Sequence, residues 1–145
     1  MKVIVDADAC PVKGIVIRVC RTGKVPVLLI SCLAHTLQEE EGVSVVQVDT
    51  APQSTDMAIM RHLVPGDIVV TGDYGLAALV LGSRGRALSP RGSQFLDKNI
   101  DALLEKRHLE AKVRRGGGRT KGPHAFSAED RRRFEEALTA LIRPV

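Results

Sequence analysis

Aromatic residues are scarce in this chain: one Tyr, three Phe and no Trp among 145 residues. Proteins that read single strands by stacking bases across a sheet carry several aromatics on one face, so an RRM-type platform is excluded. Cysteine is sparse as well. Cys10, Cys20 and Cys32 form an odd set with no C-x-x-C pair, which argues against a disulfide framework and against a zinc site. No apolar run approaches the ~18 residues that a spanning helix requires. The start, Met1-Lys2-Val3-Ile4-Val5-Asp6, reaches an acid too early for a signal peptide. The expectation is a cytoplasmic protein with reduced thiols and no membrane partner.

What is present reads as a globular chain. Hydrophobic residues make up 44% and charged residues 26%, close to the soluble average, and the length suits a single domain over 1–145. Net charge is +4, unevenly spread. Residues 1 to 106 hold 11 Lys and Arg against 12 Asp and Glu, whereas residues 107 to 145 hold 10 against 5. A nearly neutral body therefore carries a basic C-terminal third, which favours polyanionic partners.

Four β-branched runs, Lys2 to Val5, Val25 to Ser31, Val43 to Val48 and Asp67 to Thr71, lack clean polar alternation. That is how strands buried on both faces of a parallel sheet read. A weak fifth strand is expected at Ala87-Leu88. Between them, Val12, Ile15, Val16, Val19 and Cys20 repeat at helical spacing, with Pro11 in the first turn and Gly23 as the stop. Ile59, Met60 and Leu63 mark a second helix that Ser54 can cap, and Leu76 to Leu81 a short buried one ended by Gly82. One helical turn is expected over Leu37 to Glu41. Leu96, Ile100, Leu103 and Leu104 predict an amphipathic helix, followed by a basic Gly-rich loop over 114–123 and a last helix over 127–142. Ser127 and Asp130 stand at the reciprocal positions of a capping box. The expected architecture is α/β, a three-layer sandwich around a mostly parallel sheet of four to five strands, with the loop and last helix as a C-terminal appendage.

Ligands of open α/β sheets bind beyond the carboxyl ends of the strands. Asp6 ends the first strand run with Asp8 two residues on, Asp49 follows the third, Asp56 lies on the turn into the next helix, and Asp73 follows the fourth. Carboxylates gathered at one edge repel unless a proton or cation is shared, and oxygen donors without a Cys or His pair suit Mg²⁺ or Mn²⁺. Each acid also has an ordinary structural explanation. Asp8 and Asp73 can cap the helices that follow, Asp56 sits where a helix dipole favours an acid, and Asp49 reads as a loop acid.

Four stretches stand together: Val5-Asp6-Ala7-Asp8-Ala9-Cys10-Pro11-Val12-Lys13, Asp49-Thr50-Ala51-Pro52-Gln53-Ser54-Thr55-Asp56, Asp67-Ile68-Val69-Val70-Thr71-Gly72-Asp73-Tyr74-Gly75-Leu76-Ala77 and Arg115-Gly116-Gly117-Gly118-Arg119. In this order the chain resembles the YaiI/YqxD family of small bacterial proteins, which is grouped with PIN-like domains. The resemblance implies a PIN-like fold and Mg²⁺- or Mn²⁺-dependent phosphodiester hydrolysis, with RNA the expected partner. It implies Asp6, Asp56 and Asp73 as catalytic acids and metal ligands. Asp8 is an acid additional to that pattern and a further candidate ligand, and Ser54 and Thr71 are candidates to orient ligands or water, with plain backbone bonding of their hydroxyls as the ordinary alternative. The second late acid common in PIN-like nucleases is missing from Tyr74 to Leu81, which leaves the number of metals open.

Arg114, Arg115, Arg119 and Lys121 of the basic loop, and Lys13 near the first acids, are expected to neutralise phosphates, although the loop also reads as a solvated tether. Arg131, Arg132 and Arg133 sit in the first turns of a helix, against its dipole, so an anion or nearby acids must offset them. Two other functions fit the same residues. Asp6-Ala7-Asp8 is similar to the first motif of HAD-type phosphatases, with Asp6 as nucleophile and Asp8 as general acid. A non-catalytic module that binds nucleic acid or metal accounts for the missing acid.

Overall fold

The β-branched runs pair as strands: β1 (Val3–Asp6), β2 (Val27–Ser31), β3 (Val43–Gln47), β4 (Ile68–Val70) and the weak fifth, β5 (Arg86–Leu88). The structure, a computed structural model, describes residues 1–33, 36–120 and 124–143. Among the described residues one sheet of six strands runs in the order β3-β2-β1-β4-β5-β6, one strand more than expected. The additional strand, β6 (Gln94–Phe95), pairs antiparallel with β5, while all other pairings are parallel. Two residues joined by a tight turn carry no hydrophobic period, so β6 left no trace in the pattern.

Helices cover both faces, giving a three-layer α/β sandwich. Val3 and Val5, with Val27, Leu29, Ile68 and Val70 beside them, point to the face packed by α1 (Lys13–Thr22) and α5 (Ala128–Ile142). Ile4, Leu28, Ile30 and Val69 point to the opposite face, covered by α2 (Ser54–His62), α3 (Tyr74–Gly82) and α4 (Asp97–Arg115). The alternation is the two-residue period of a strand, with both sides apolar because both are covered.

Several local expectations are corrected. Pro11 precedes α1, whose N-cap is Val12, while Gly23 ends it as read from the sequence. Ser54 is the first residue of α2, and the cap position falls to Gln53 in a left-handed conformation, φ 67°. No helical turn spans Leu37 to Glu41; Glu40 instead bridges Val43 next to β3, and Leu37 packs against the core. α4 runs on through Arg114 and Arg115, so these two arginines are the end of a helix and not loop. The capping box at Ser127 forms, with the Ser127 side chain accepting from Asp130 N and the Asp130 carboxylate from Ser127 N.

The last helix, read as an appendage, reaches the core. Phe134 and Leu138 are fully buried against α1 and the sheet. Its approach depends on Gly92 in the β5–β6 turn, where φ is 88° and a Cβ would lie 2.6 Å from the Arg133 carbonyl carbon. Only a glycine combines that backbone angle with that closeness. Gly92→Ala is expected to cost about 2 kcal/mol, from overpacking and the disfavoured angle together, read as a lowered urea midpoint.

At the amino edge of the sheet, buried Asp67 holds the start of β1, accepting from Lys2 N (3.0 Å), Lys2 Nζ (2.6 Å) and Val64 N (2.8 Å). Burial raises its carboxyl, but these bonds outweigh it and hold the group below the usual carboxylate range. No helix among the described residues is long and apolar enough to cross a membrane.

Candidate functional site

Strand order reverses at β1, which has β2 and then β3 on one side and β4 on the other. The carboxyl ends of β1 and β4 therefore form the crevice where doubly wound sheets take ligands. A cleft of about 410 Å³ opens there, lined by Asp6, Thr71, Asp73, Tyr74, Pro90 and Arg107 with Ala9 and Gly72.

Asp6, the last residue of β1, is half-buried; its Oδ2 accepts from the Thr71 hydroxyl at 3.1 Å. Thr71 Oγ1 in turn accepts from Asp73 N at 3.0 Å, so one hydroxyl ties together the two strand ends. Burial raises the Asp6 carboxyl; the Thr71 bond offsets part of this, and Asp56, Asp8 and Asp73 add repulsion. Asp56, in the first turn of α2, is raised by its own burial and then by Asp73, with Arg107 opposing. Asp6, Asp56 and Asp73 thus feel one another's charge. Among the described residues, however, no three His, Cys, Asp or Glu side chains close around a point that could hold a metal ion.

Two of the expected acids have structural engagements. Asp73 caps α3, its Oδ1 accepting from Gly75 N at 2.8 Å and Leu76 N at 3.2 Å, as the ordinary explanation foresaw. Asp8 does not cap α1; it turns to the end of β2, where Ser31 Oγ and Cys32 N donate to it. Burial raises Asp8, but those bonds prevail and hold its carboxyl below the ordinary value. A carboxyl held ionised is poorly suited to the general-acid role of a HAD-type phosphatase.

The basic residue at the cleft is one that sequence reasoning missed. Arg107, on α4, reaches Asp73 Oδ1 with Nη1 at 3.1 Å. Both partners are partly exposed, so the pair contributes at most ~1 kcal/mol and opens easily. The signal was the basic run Lys106-Arg107-His108, but which of its members faces α3 depends on how the helices pack.

The other expected contacts lie elsewhere. Lys13 folds back onto its own turn, donating from Nζ to Ala7 O at 3.0 Å. Arg114 donates to Thr120 Oγ1 at 3.1 Å, and Arg119 is exposed. Among the described residues the cleft lining includes none of Lys13, Arg114, Arg115 and Arg119. Lys121 lies outside the described residues. Ser54 and Asp49 share a separate depression beside β3. The Arg131 to Arg133 run is offset by neighbours, with Arg132 donating to both Glu129 oxygens at 2.6 and 2.7 Å and Arg133 3.5 Å from the same acid. Burial raises the Cys10 thiol, which fits packing, and it pushes Cys20 up to about 12.

Comparison with known proteins matches residues 4–144 to the family described as "Uncharacterized BCR, YaiI/YqxD family". The chain belongs to that family. A UPF0178 protein of Alkaliphilus metalliredigens is 42% identical over 142 residues, covering 98% of this chain and 92% of the relative. One of Bacillus cereus is 40% identical over 144 residues, covering 98% and 99%, and one of Heliobacterium modesticaldum 43% identical over 145 residues, covering 99% and 97%. No solved structure matches the chain. Membership of the YaiI/YqxD family settles kinship and leaves the chemistry to be read from the cleft.

Proposed function

We propose that the cleft between β1 and β4 is a divalent-metal-dependent phosphodiester hydrolase site acting on nucleic acid, RNA in preference to DNA. The observation that carries this reading is the gathering of acids at the carboxyl ends of β1 and β4, where half-buried Asp6 and Asp73 line one cleft and Asp56 and Asp8 add repulsion at Asp6, with Arg107 as the cation in the lining. A cation at this point removes both the repulsion and the desolvation cost.

The donors fit a hard cation. They are all carboxylate or hydroxyl oxygens, and Mg²⁺ is commonly held through one or two carboxylates while keeping several waters, so a closed cage is not needed. Asp6 and Asp73, which line the cleft, would hold it, with Asp56, whose charge reaches both, as the third carboxylate. Once bound, such an ion activates water and polarises a phosphoryl oxygen. The chain's own groups do the rest. Thr71 fixes the Asp6 carboxylate by its hydrogen bond, and Arg107 supplies positive charge to an incoming phosphate, for which it can exchange its weak pair with Asp73.

The engagement of Asp73 in the α3 cap and the Arg107 pair favours a second reading, a module that binds nucleic acid without turnover. Incubation with end-labelled single-stranded RNA in Mg²⁺, Mn²⁺ or EDTA separates the two. Product that requires Mg²⁺ or Mn²⁺ is the expected result. Binding without product in any cation would leave the module, and a phosphoryl adduct on Asp6 would replace both by a phosphatase.

A further inference from the structure

The few aromatics of this chain are not scattered. Of the four in the sequence, Tyr74, Phe95 and Phe126 border one cleft of about 480 Å³: Phe95 is buried at its floor and belongs with Phe134 to the core, whereas Tyr74 and Phe126 are partly exposed. This cleft continues the acidic one, sharing Ala9, Gly72, Tyr74 and Pro90 with it. Its size falls within the ~300 to 1,000 Å³ of small-molecule sites. Tyr74 and Phe95 meet edge to face, with centroids 5.7 Å apart. Two guanidiniums approach the Phe126 ring, Arg131 at 5.1 Å and Arg91 at 5.6 Å from its centre.

Arg91 is held in place. Its Nη1 donates to the buried Asp130 carboxylate at 3.0 Å and its Nη2 to His124 O at 2.5 Å. The cleft therefore offers a fixed cation and aromatic surface immediately beside a centre that suits phosphate chemistry. Aromatic faces with guanidinium are what an unstacked nucleobase and its phosphate require, and every base has a π face to present.

We propose that this second cleft is a nucleobase subsite, which seats one unpaired base of a single strand while the adjoining phosphate lies at Asp6 and Arg107. The proposal deepens the hydrolytic reading and rests on it for the identity of the neighbouring group. A base inside a duplex is stacked and cannot enter, so the subsite selects single strands. It also differs from the sheet-face platform excluded by composition: the aromatics come from α3, β6 and the segment before α5, and they meet at the edge of the sheet.

The test uses single-stranded oligonucleotides carrying 2-aminopurine, titrated into the full chain bearing Asp6→Asn so that no turnover intervenes. Quenching of the 2-aminopurine on binding is expected, and Tyr74→Ala and Phe126→Ala should each weaken binding about 10-fold, the loss of one base–aromatic contact. Tyr74→Phe, which keeps the ring, should bind as the parent does, and melting curves verify that each variant is folded. Fluorescence unchanged on binding, duplex bound as tightly as single strand, or full affinity in both alanine variants would each overturn the subsite. Because the readout is binding, quenching by Asp6→Asn together with a parent chain that never cleaves would sink the hydrolytic reading alone, and cleavage by the parent without quenching by Asp6→Asn would sink the subsite alone.

Discussion

Replacing Asp6 with Asn is expected to lower Mg²⁺- or Mn²⁺-dependent RNA cleavage by about 100-fold or more and, in the same protein, to raise the melting temperature at neutral pH. The loss follows from removing the carboxylate at the centre of the proposed cation site, where ligand changes cost more than the ~10- to 100-fold of outer-shell changes. The gain follows from the same charge. Asp6 is half-buried, with Asp56, Asp8 and Asp73 repelling it, and one hydrogen bond from Thr71 offsets only part of that. Asn keeps the shape and can still accept from Thr71.

The two effects have a pH signature. Because the folded-state pKa of Asp6 is raised, the native state binds more protons than the unfolded state between the ordinary carboxyl value and the raised one. Stability contributed by the protonated group is lost as pH rises through that window. The melting temperature of Asp6→Asn minus that of the parent should therefore be small in acid, grow across the window and level off above it. Each kcal/mol relieved is worth about 2 to 4 °C in a chain of this size. A difference that stays flat with pH, or a variant less stable than the parent at neutral pH, would contradict the strained-carboxylate account. Saturating Mg²⁺ should narrow the difference by stabilising the parent.

Phe134→Ala should lower the unfolding free energy by about 3 to 5 kcal/mol, the range for truncating a buried aromatic ring. Phe134 is fully buried, and it packs with Leu138 into the core between α5, α1 and the sheet. With total stabilities of ~5 to 15 kcal/mol usual, the variant should be close to the limit of folding. Urea unfolding followed by far-ultraviolet circular dichroism measures it, through a lower midpoint at an unchanged slope. A loss below about 1 kcal/mol would mean that α5 is peripheral and that the body folds without it.

Much of the architecture was legible because it is written in local pattern. The four β-branched runs, the stop at Gly23 and the capping box at Ser127 each reflect a preference that neighbouring residues settle among themselves. So does the place of Asp6 at the end of a buried strand. The candidate site was legible only in part. Asp6 and Asp73 line the cleft, but nothing local showed that Asp8 would turn to Ser31 or that Arg107 would face Asp73. Those partners lie 23 or more residues away, brought close by strand pairing and helix packing.

Charge and aromatic content show the same division. The sequence alone determined that the N-terminal body is nearly neutral, that the chain's basic excess lies in the last third, and that aromatics are too few for a sheet-face platform. Tertiary structure decided where those residues meet. It drew Arg107 from the basic third to the acids of the body, moved Arg114 and Arg115 into a helix end, and gathered Tyr74, Phe95 and Phe126 into one cleft. The physical reason is that periodicity and propensity act over a few residues, whereas the sides of this cleft come from segments up to about 120 residues apart whose meeting is set by sheet order and by two apolar faces being buried at once.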